Sequence, residues 1–355
     1  MKIGVLTLPF NNNYGGILQS YALQSVLKKR GHDVKFIKRL PNKYTDSLIS
    51  KLKWFLGYSY WRDLKDNKQV KEFSMFEKQF MCATDSIRMD KEFNKLDKEN
   101  LELLLVGSDQ VWRANYTRDR LTNYFFDFAF DKGIKKASYA ASFGTDVWEA
   151  NSSKEDVKKL LDTFSGISVR ETSGVEICKE VFDVSAEHIL DPTFLIDVEE
   201  YLSLPYERQG GNNDVLVYLL DPTAEKFQIT SEVVASNRGN AVYTGFGPEG
   251  KKKYIEIGEW VRYFSTCKYV VTDSFHGCVF ALIFKKPFVV IGNSGRGLTR
   301  FDSLLSSFQL SDRLIKGHND LQNIQIDYVV NEALIDQVIA ESRINSDLFL
   351  KKLGV

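Results

Sequence analysis

The stretch KYVVTDSFHGCVFALIFKKPFVVI, Lys268 to Ile291, decides how the chain folds. Tyr269, Val270 and Val271 form a β-branched and aromatic run, Asp273-Ser274 breaks it, and Cys278 to Phe284 is apolar enough for a short buried helix. Pro287 stops that helix, and Phe288 to Ile291 resumes a strand. Strand, turn, helix and strand in this order put His276 and Gly277 at the carboxyl end of a parallel strand, where open α/β sheets present their ligand-binding groups. No other histidine of the chain has such a setting.

The same alternation extends outward. Upstream lie a strand from Val215 to Leu220, a helix from Ala224 to Ala235, a strand from Ala241 to Thr244 and a helix from Ile257 to Phe264. The start of the chain reads likewise: a strand from Lys2 to Leu8, a helical stripe from Ile17 to Lys29 and a strand from His32 to Ile37, then strands from Leu101 to Val106, Lys136 to Ala141 and Gly166 to Val169. Three strand ends, at Ser108-Asp109, Ser142-Phe143-Gly144 and Arg170-Glu171, thus converge on one edge. Tyr201 to Asn213, with Pro205 and Gly210-Gly211, is the best linker. The fold class expected is α/β: two Rossmann-like, doubly wound domains facing a cleft, over residues 1–200 and 201–330, closed by a helix within 331–355 that packs back on the first domain.

Composition narrows the partners. Lys plus Arg and Asp plus Glu each number 47, so no global field draws nucleic acid or a membrane, and anion recognition must be local. The four cysteines show no CxxC pair, no HExxH or Walker loop occurs, and neither a metal nor a bound cofactor is expected. The first residues read as a strand rather than a signal peptide, and no apolar run is long enough to span a bilayer, so a cytoplasmic protein is expected. The basic, aromatic segment around residues 47–62 suits a peripheral membrane contact, a face packed on its own domain, or a rim over the cleft.

His276 suits an acid or base, since imidazole titrates near neutrality, and it equally suits a histidine bonded to backbone at a helix start. Arg170 suits a carboxylate or phosphate, or an ion pair with Glu171 or another neighbour. The loop Gly292 to Gly297, followed by Arg300, could cradle an anion, and the glycines at 15 and 16 could open a helix N-terminus to an anion or a sugar. Asp109 suits a sugar hydroxyl or a turn cap, and Trp112 a pyranose face or a core position. By strand-end position the acceptor contacts expected are Tyr14, Gly15, Gln19, Asp109 and Trp112.

Six blocks occur in order: NNNYGGILQSYALQSVLKKRGHDV, LLLVGSDQVW, SYAASFG, SVRETSGVEI, ILDPTFL and TDSFHGCVFALIFKKPFVVI. Together they resemble the polysaccharide pyruvyl transferase family. The resemblance implies a fold similar to the GT-B arrangement of glycosyltransferases. It also implies transfer of the enolpyruvyl unit of phosphoenolpyruvate, a co-substrate, onto two hydroxyls of a sugar or lipid-linked glycan, giving a cyclic ketal and phosphate. In the family a histidine of the SFHG-like block and an arginine of the SVRE-like block are the functional pair; they fall on His276 and Arg170. Ser274, Gly277 and either Arg296 or Arg300 would complete the donor side. The architecture leaves a nucleotide-sugar glycosyltransferase and a non-catalytic glycan-binding protein as alternatives.

Overall fold

The computed structural model describes residues 1–10, 13–40, 71–206, 214–250, 253–293, 295, 297–326 and 328–355. The segment 47–62, most of the expected linker and Arg296 lie outside the described residues.

Two parallel sheets organise the chain. The first joins β1 (Lys2–Leu6), β2 (Asp33–Ile37), β3 (Leu103–Val106) and β4 (Lys135–Ser138) in the order β2-β1-β3-β4. Bridges Ala137–Gly166 and Ala141–Val169 extend it to the short pair β5 (Ser168–Val169) and β6 (Glu187–His188). The second joins β7 (Asp214–Tyr218), β8 (Asn240–Tyr243), β9 (Tyr269–Thr272), β10 (Phe288–Ile291) and β11 (Leu314–Ile315) in the order β11-β10-β9-β7-β8. Every residue of β3, β9 and β10 is buried, as expected of parallel strands covered by helices on both faces.

Each sheet reverses its strand order once. The chain leaves β1 for β2 on one side and takes up β3 on the other; it leaves β7 for β8 and takes up β9 across it. The gaps beyond the carboxyl ends of β1 and β3, and of β7 and β9, are therefore the places where such sheets bind ligands.

The halves share a core. One apolar cluster contains Tyr14, Ile17, Leu18 and Ala22 of the first half together with Trp260 and Phe280 of the second. Tyr14 stacks on Trp260 with ring centroids 5.2 Å apart, and its hydroxyl donates to the Ile255 carbonyl at 2.8 Å. The helix Phe275–Ile283 is buried along its whole length between the second sheet and the first half, which is why its sequence is apolar all round.

The chain leaves the first sheet after β6. From Val198 it packs on the second half: Tyr201 meets Phe280, and Pro205 abuts Gly258. The helix Glu332–Lys352 makes the return. Ile335 lies in the cluster shared by the two halves, whereas Phe349, Leu350 and Leu353 pack under the first sheet against Ile3, Val5 and Tyr139.

Candidate active site

A cavity of about 450 Å³ opens where the two strand-order reversals face each other. Leu8 and Pro9 reach it from beyond β1, Asp109 and Gln110 from β3, Leu220 from β7, and Asp273 to His276 from β9. Its size falls within the ~300–1,000 Å³ usual for small-molecule sites. Asn115, Tyr116 and Arg120 form a further wall, and Arg300 enters from the helix Thr299–Ser307.

Behind His276, outside the cavity lining, lies a fully buried carboxylate, Asp191. Its Oδ2 accepts from Nη1 of Arg170 at 2.7 Å and from the Ser108 hydroxyl at 2.9 Å, and it faces Nε2 of His276 at 3.5 Å. Its Oδ1 accepts from the amide and hydroxyl of Thr193, at 3.1 and 2.8 Å. Burial by itself would raise the carboxyl; the positive charges of His276 and Arg170 and the Thr193 amide outweigh it and hold Asp191 well below the usual carboxylate range. The 3.5 Å gap to His276 is an electrostatic contact, beyond hydrogen-bond length.

Arg170 does not pair with the adjacent Glu171. Successive residues leaving a strand face opposite ways. Arg170 turns toward the cleft, while Glu171 turns back and accepts from the amides of Phe143 and Gly144 at 2.7 and 3.0 Å, fixing the loop after β4. Arg170 is buried and stands just outside the cavity wall, with Nη2 3.9 Å from Asp109 Oδ1. The Arg170 and Arg300 guanidiniums lie 4.3 and 5.3 Å from the Phe275 ring centroid, within cation–π range. Burial first, and then the charge of Arg170, pull Arg300 down to about 10.

Two further contacts hold the loops in place. Asp273, fully buried, accepts from the Leu220 and Asp221 amides at 2.6 and 3.1 Å and from Lys226 Nζ at 2.6 Å, tying the end of β9 to the end of β7. Asp109 has a left-handed backbone, φ 85°, and caps the Gln110 amide at 2.8 Å, so its carboxylate is aimed at the cavity by a conformation that few non-glycine residues adopt.

The polysaccharide pyruvyl transferase family profile matches residues 13–295. The chain belongs to this family. No curated protein sequence is significantly similar to the chain. Among solved structures, UDP-GlcNAc 2-epimerase from Methanocaldococcus jannaschii aligns with a TM-score of 0.52 at 12% identity, covering 96% of this chain and 99% of that one. A putative UDP-N-acetylglucosamine 2-epimerase from Listeria monocytogenes gives 0.51 at 11%, covering 98% and 96%, and spinosyn rhamnosyltransferase gives 0.51 at 11%, covering 100% of both chains. At such identities the likeness is one of fold: this pyruvyl transferase family member has the two-sheet architecture of GT-B glycosyltransferases and of these epimerases.

Within that architecture the sequence candidates separate. His276, Ser274, Asp109 and Arg300 line the cavity; Tyr14, Gly15, Gln19, Trp112, Gly277 and Arg170 do not. The faces of Trp112 are taken: it stacks on Phe125 at 5.0 Å and its Nε1 donates to the Tyr124 carbonyl. Gln19 is buried, bonded to Thr7 and to the Gly16 carbonyl. The helix Tyr14–Lys29 starts three residues before Ile17, so Gly15 and Gly16 form its first turn rather than an open loop. A β-carbon on Gly15 would lie 2.0 Å from Cγ of His276, and one on Gly277 would lie 2.2 Å from the Thr272 hydroxyl. Ser274 caps its helix by accepting from the Gly277 amide at 3.3 Å.

Asp191, Ser108 and Phe275 were not singled out from sequence, although each sits in a block carrying the family resemblance. Asp191 precedes a proline, and an Asp-Pro step reads locally as a turn. Among the described residues no cluster of side chains suits a metal ion, and no helix is long and apolar enough to cross a membrane.

Proposed function

We propose that the protein transfers the enolpyruvyl unit of phosphoenolpyruvate onto two hydroxyls of one sugar, forming a cyclic ketal and releasing phosphate. Family membership over residues 13–295 carries this reading. The grouping of an imidazole, a guanidinium and a carboxylate around one cavity supports it, because the reaction needs a proton source, an anion site and a proton acceptor.

Arg300 holds the phosphate and carboxylate of the donor, with the positive field of Arg170 behind it. His276 gives a proton to the methylene carbon, which leaves the adjacent carbon electrophilic. A sugar hydroxyl bonds to that carbon and passes its proton to Asp109. The carbon–oxygen bond to phosphate then breaks, phosphate leaves with the electron pair, and the second hydroxyl closes the ring as its proton goes to the departing phosphate. Positioned proton transfer of this kind contributes on the order of 10²- to 10⁴-fold. Asn115, Tyr116 and Arg120 are placed to meet the acceptor, a sugar or lipid-linked glycan. Phosphoenolpyruvate is a cytoplasmic metabolite, so the reaction belongs there, in the building of a cell-surface polysaccharide.

The test is release of inorganic phosphate from phosphoenolpyruvate across candidate glycan acceptors, with His276→Ala alongside. Acceptor-dependent release by the wild type and its loss in the variant are expected. Equal rates for both would sink the mechanism, and thermal stabilisation by a nucleotide sugar but not by phosphoenolpyruvate would sink the donor assignment.

A further inference from the structure

We propose that Asp191 is the positioning residue of this site, seating the His276 imidazole of one half and the Arg170 guanidinium of the other on a single carboxylate oxygen. Its catalytic meaning rests on the pyruvyl-transfer reading; the seating itself rests on geometry.

Asp191 is anchored independently of both partners. Oδ1 is held by Thr193, two residues on, and Oδ2 by Ser108, so the carboxylate is fixed from the first half before either cation arrives. A carboxylate buried this deeply is costly unless it is paired and hydrogen-bonded. Arg170 supplies the pair from the same half at 2.7 Å. His276 is the additional partner and comes from the second half, its ring pressed against the α-carbon of Gly15.

The nitrogens left over also point to this role. Nε2 of His276 is buried and makes no hydrogen bond among the described residues, and the Asp191 oxygen 3.5 Å away faces it. Contacts of this sort are often loose in a ligand-free enzyme and tighten when substrate binds. Nε and Nη2 of Arg170 likewise make no hydrogen bond among the described residues. Asp191 therefore fixes one edge of the guanidinium and leaves its other edge, behind the cavity wall, unbonded.

The other charged groups around His276 have assigned neighbours. Asp273, on its own loop, is paired with Lys226; Asp109, from beyond β3, is 3.9 Å from Arg170; Arg300, from the helix Thr299–Ser307, lies against Phe275. The helix Tyr14–Lys29 meets the ring through Gly15. Asp191 is thus the carboxylate placed to set the tautomer and orientation of the ring.

With four histidines in the chain, the imidazoles can be followed individually by ¹⁵N NMR of the intact protein, using His276→Gln to assign the signal. In the wild type the neutral ring should carry its proton on Nε2; a bare Nε2 facing the carboxylate overturns the proposal whatever any variant does. Asp191→Asn should shift the neutral His276 ring toward a mixture of its two tautomers while the other histidine signals stay in place. An unchanged His276 tautomer in the variant would also overturn it. In turnover of phosphoenolpyruvate, Asp191→Asn should lower kcat at least ~10-fold with little change in KM. The NMR measurements need no substrate, so a failed donor assignment and a failed seating give different results.

Discussion

Gly15 and His276 come from opposite halves of the chain and meet so closely that a β-carbon on the glycine would overlap the imidazole, 2.0 Å from Cγ. The glycine is required there by space, since a helix first turn accepts any small residue. Gly15→Ala should displace the ring and lower kcat by about 10²-fold, the scale of a misplacement near 1 Å. Gly16→Ala is the milder change: its β-carbon would meet the end of the half-buried Asn13 side chain at 3.1 Å, a contact that a turn of that amide can relieve. Steady-state rates of the two variants side by side test the point, and equal losses would contradict it.

Arg300 gives a pH dependence of definite sign. Its guanidinium is pulled down to about 10 by burial and by Arg170, so the charge is lost as pH rises through that value, earlier than for an ordinary arginine. Stabilisation by inorganic phosphate, read as the difference in Tm with and without it, should fall across that range in the wild type and be small at every pH in Arg300→Gln. In the ligand-free protein the sign reverses. The unfolded chain holds the proton to higher pH than the folded one, so this group's contribution to stability rises as pH climbs above about 10.

Trp112 separates core from ligand contact. Its ring lies between aromatic neighbours and is 1% exposed, so Trp112→Ala should cost ~3–5 kcal/mol of unfolding free energy by urea titration. Trp112→Phe keeps the stacking and should leave acceptor KM unchanged. A selective rise in acceptor KM would instead place a sugar on this ring.

Lys226 neutralises Asp273 where neither group meets much water. Lys226→Met should destabilise by ~3–5 kcal/mol, because it leaves a buried carboxylate uncompensated. Lys226→Met/Asp273→Asn should recover part of that loss. Differential scanning calorimetry of the single and double variants decides it.

How much of this was legible follows from the range of the interactions. β9, the helix after it and β10 could be read because β-branched strands, an apolar helix and a proline stop are all local signals. His276 and Arg300 could be singled out because few side chains do their chemistry. Asp191 could not: its partners Arg170 and Ser108 are 21 and 83 residues away, and nothing near it in sequence distinguishes a charge hub from a turn. The glycines at 15 and 16 read as an anion cradle because a glycine pair looks the same whether it frees backbone amides or makes room for a ring from another domain. In the aromatic run from Tyr124 to Phe130, Tyr124, Phe125 and Phe126 are buried, whereas Phe130 is 46% exposed; short 3₁₀ turns replace regular structure there, and the run ends at the surface.

The helix Glu332–Lys352 passes beside the segment by which the chain first crosses between halves. Arg343 binds the carbonyls of Phe194 and Ile196 at 2.8 and 2.9 Å and the carboxylate of Asp197 at 2.8 Å. Both crossings are thereby riveted at one point, and sliding one half past the other would tear three bonds from a single side chain. Loosening Arg343 should therefore blur the alignment of His276 with Asp191 from a distance, with no residue of the cavity lining substituted.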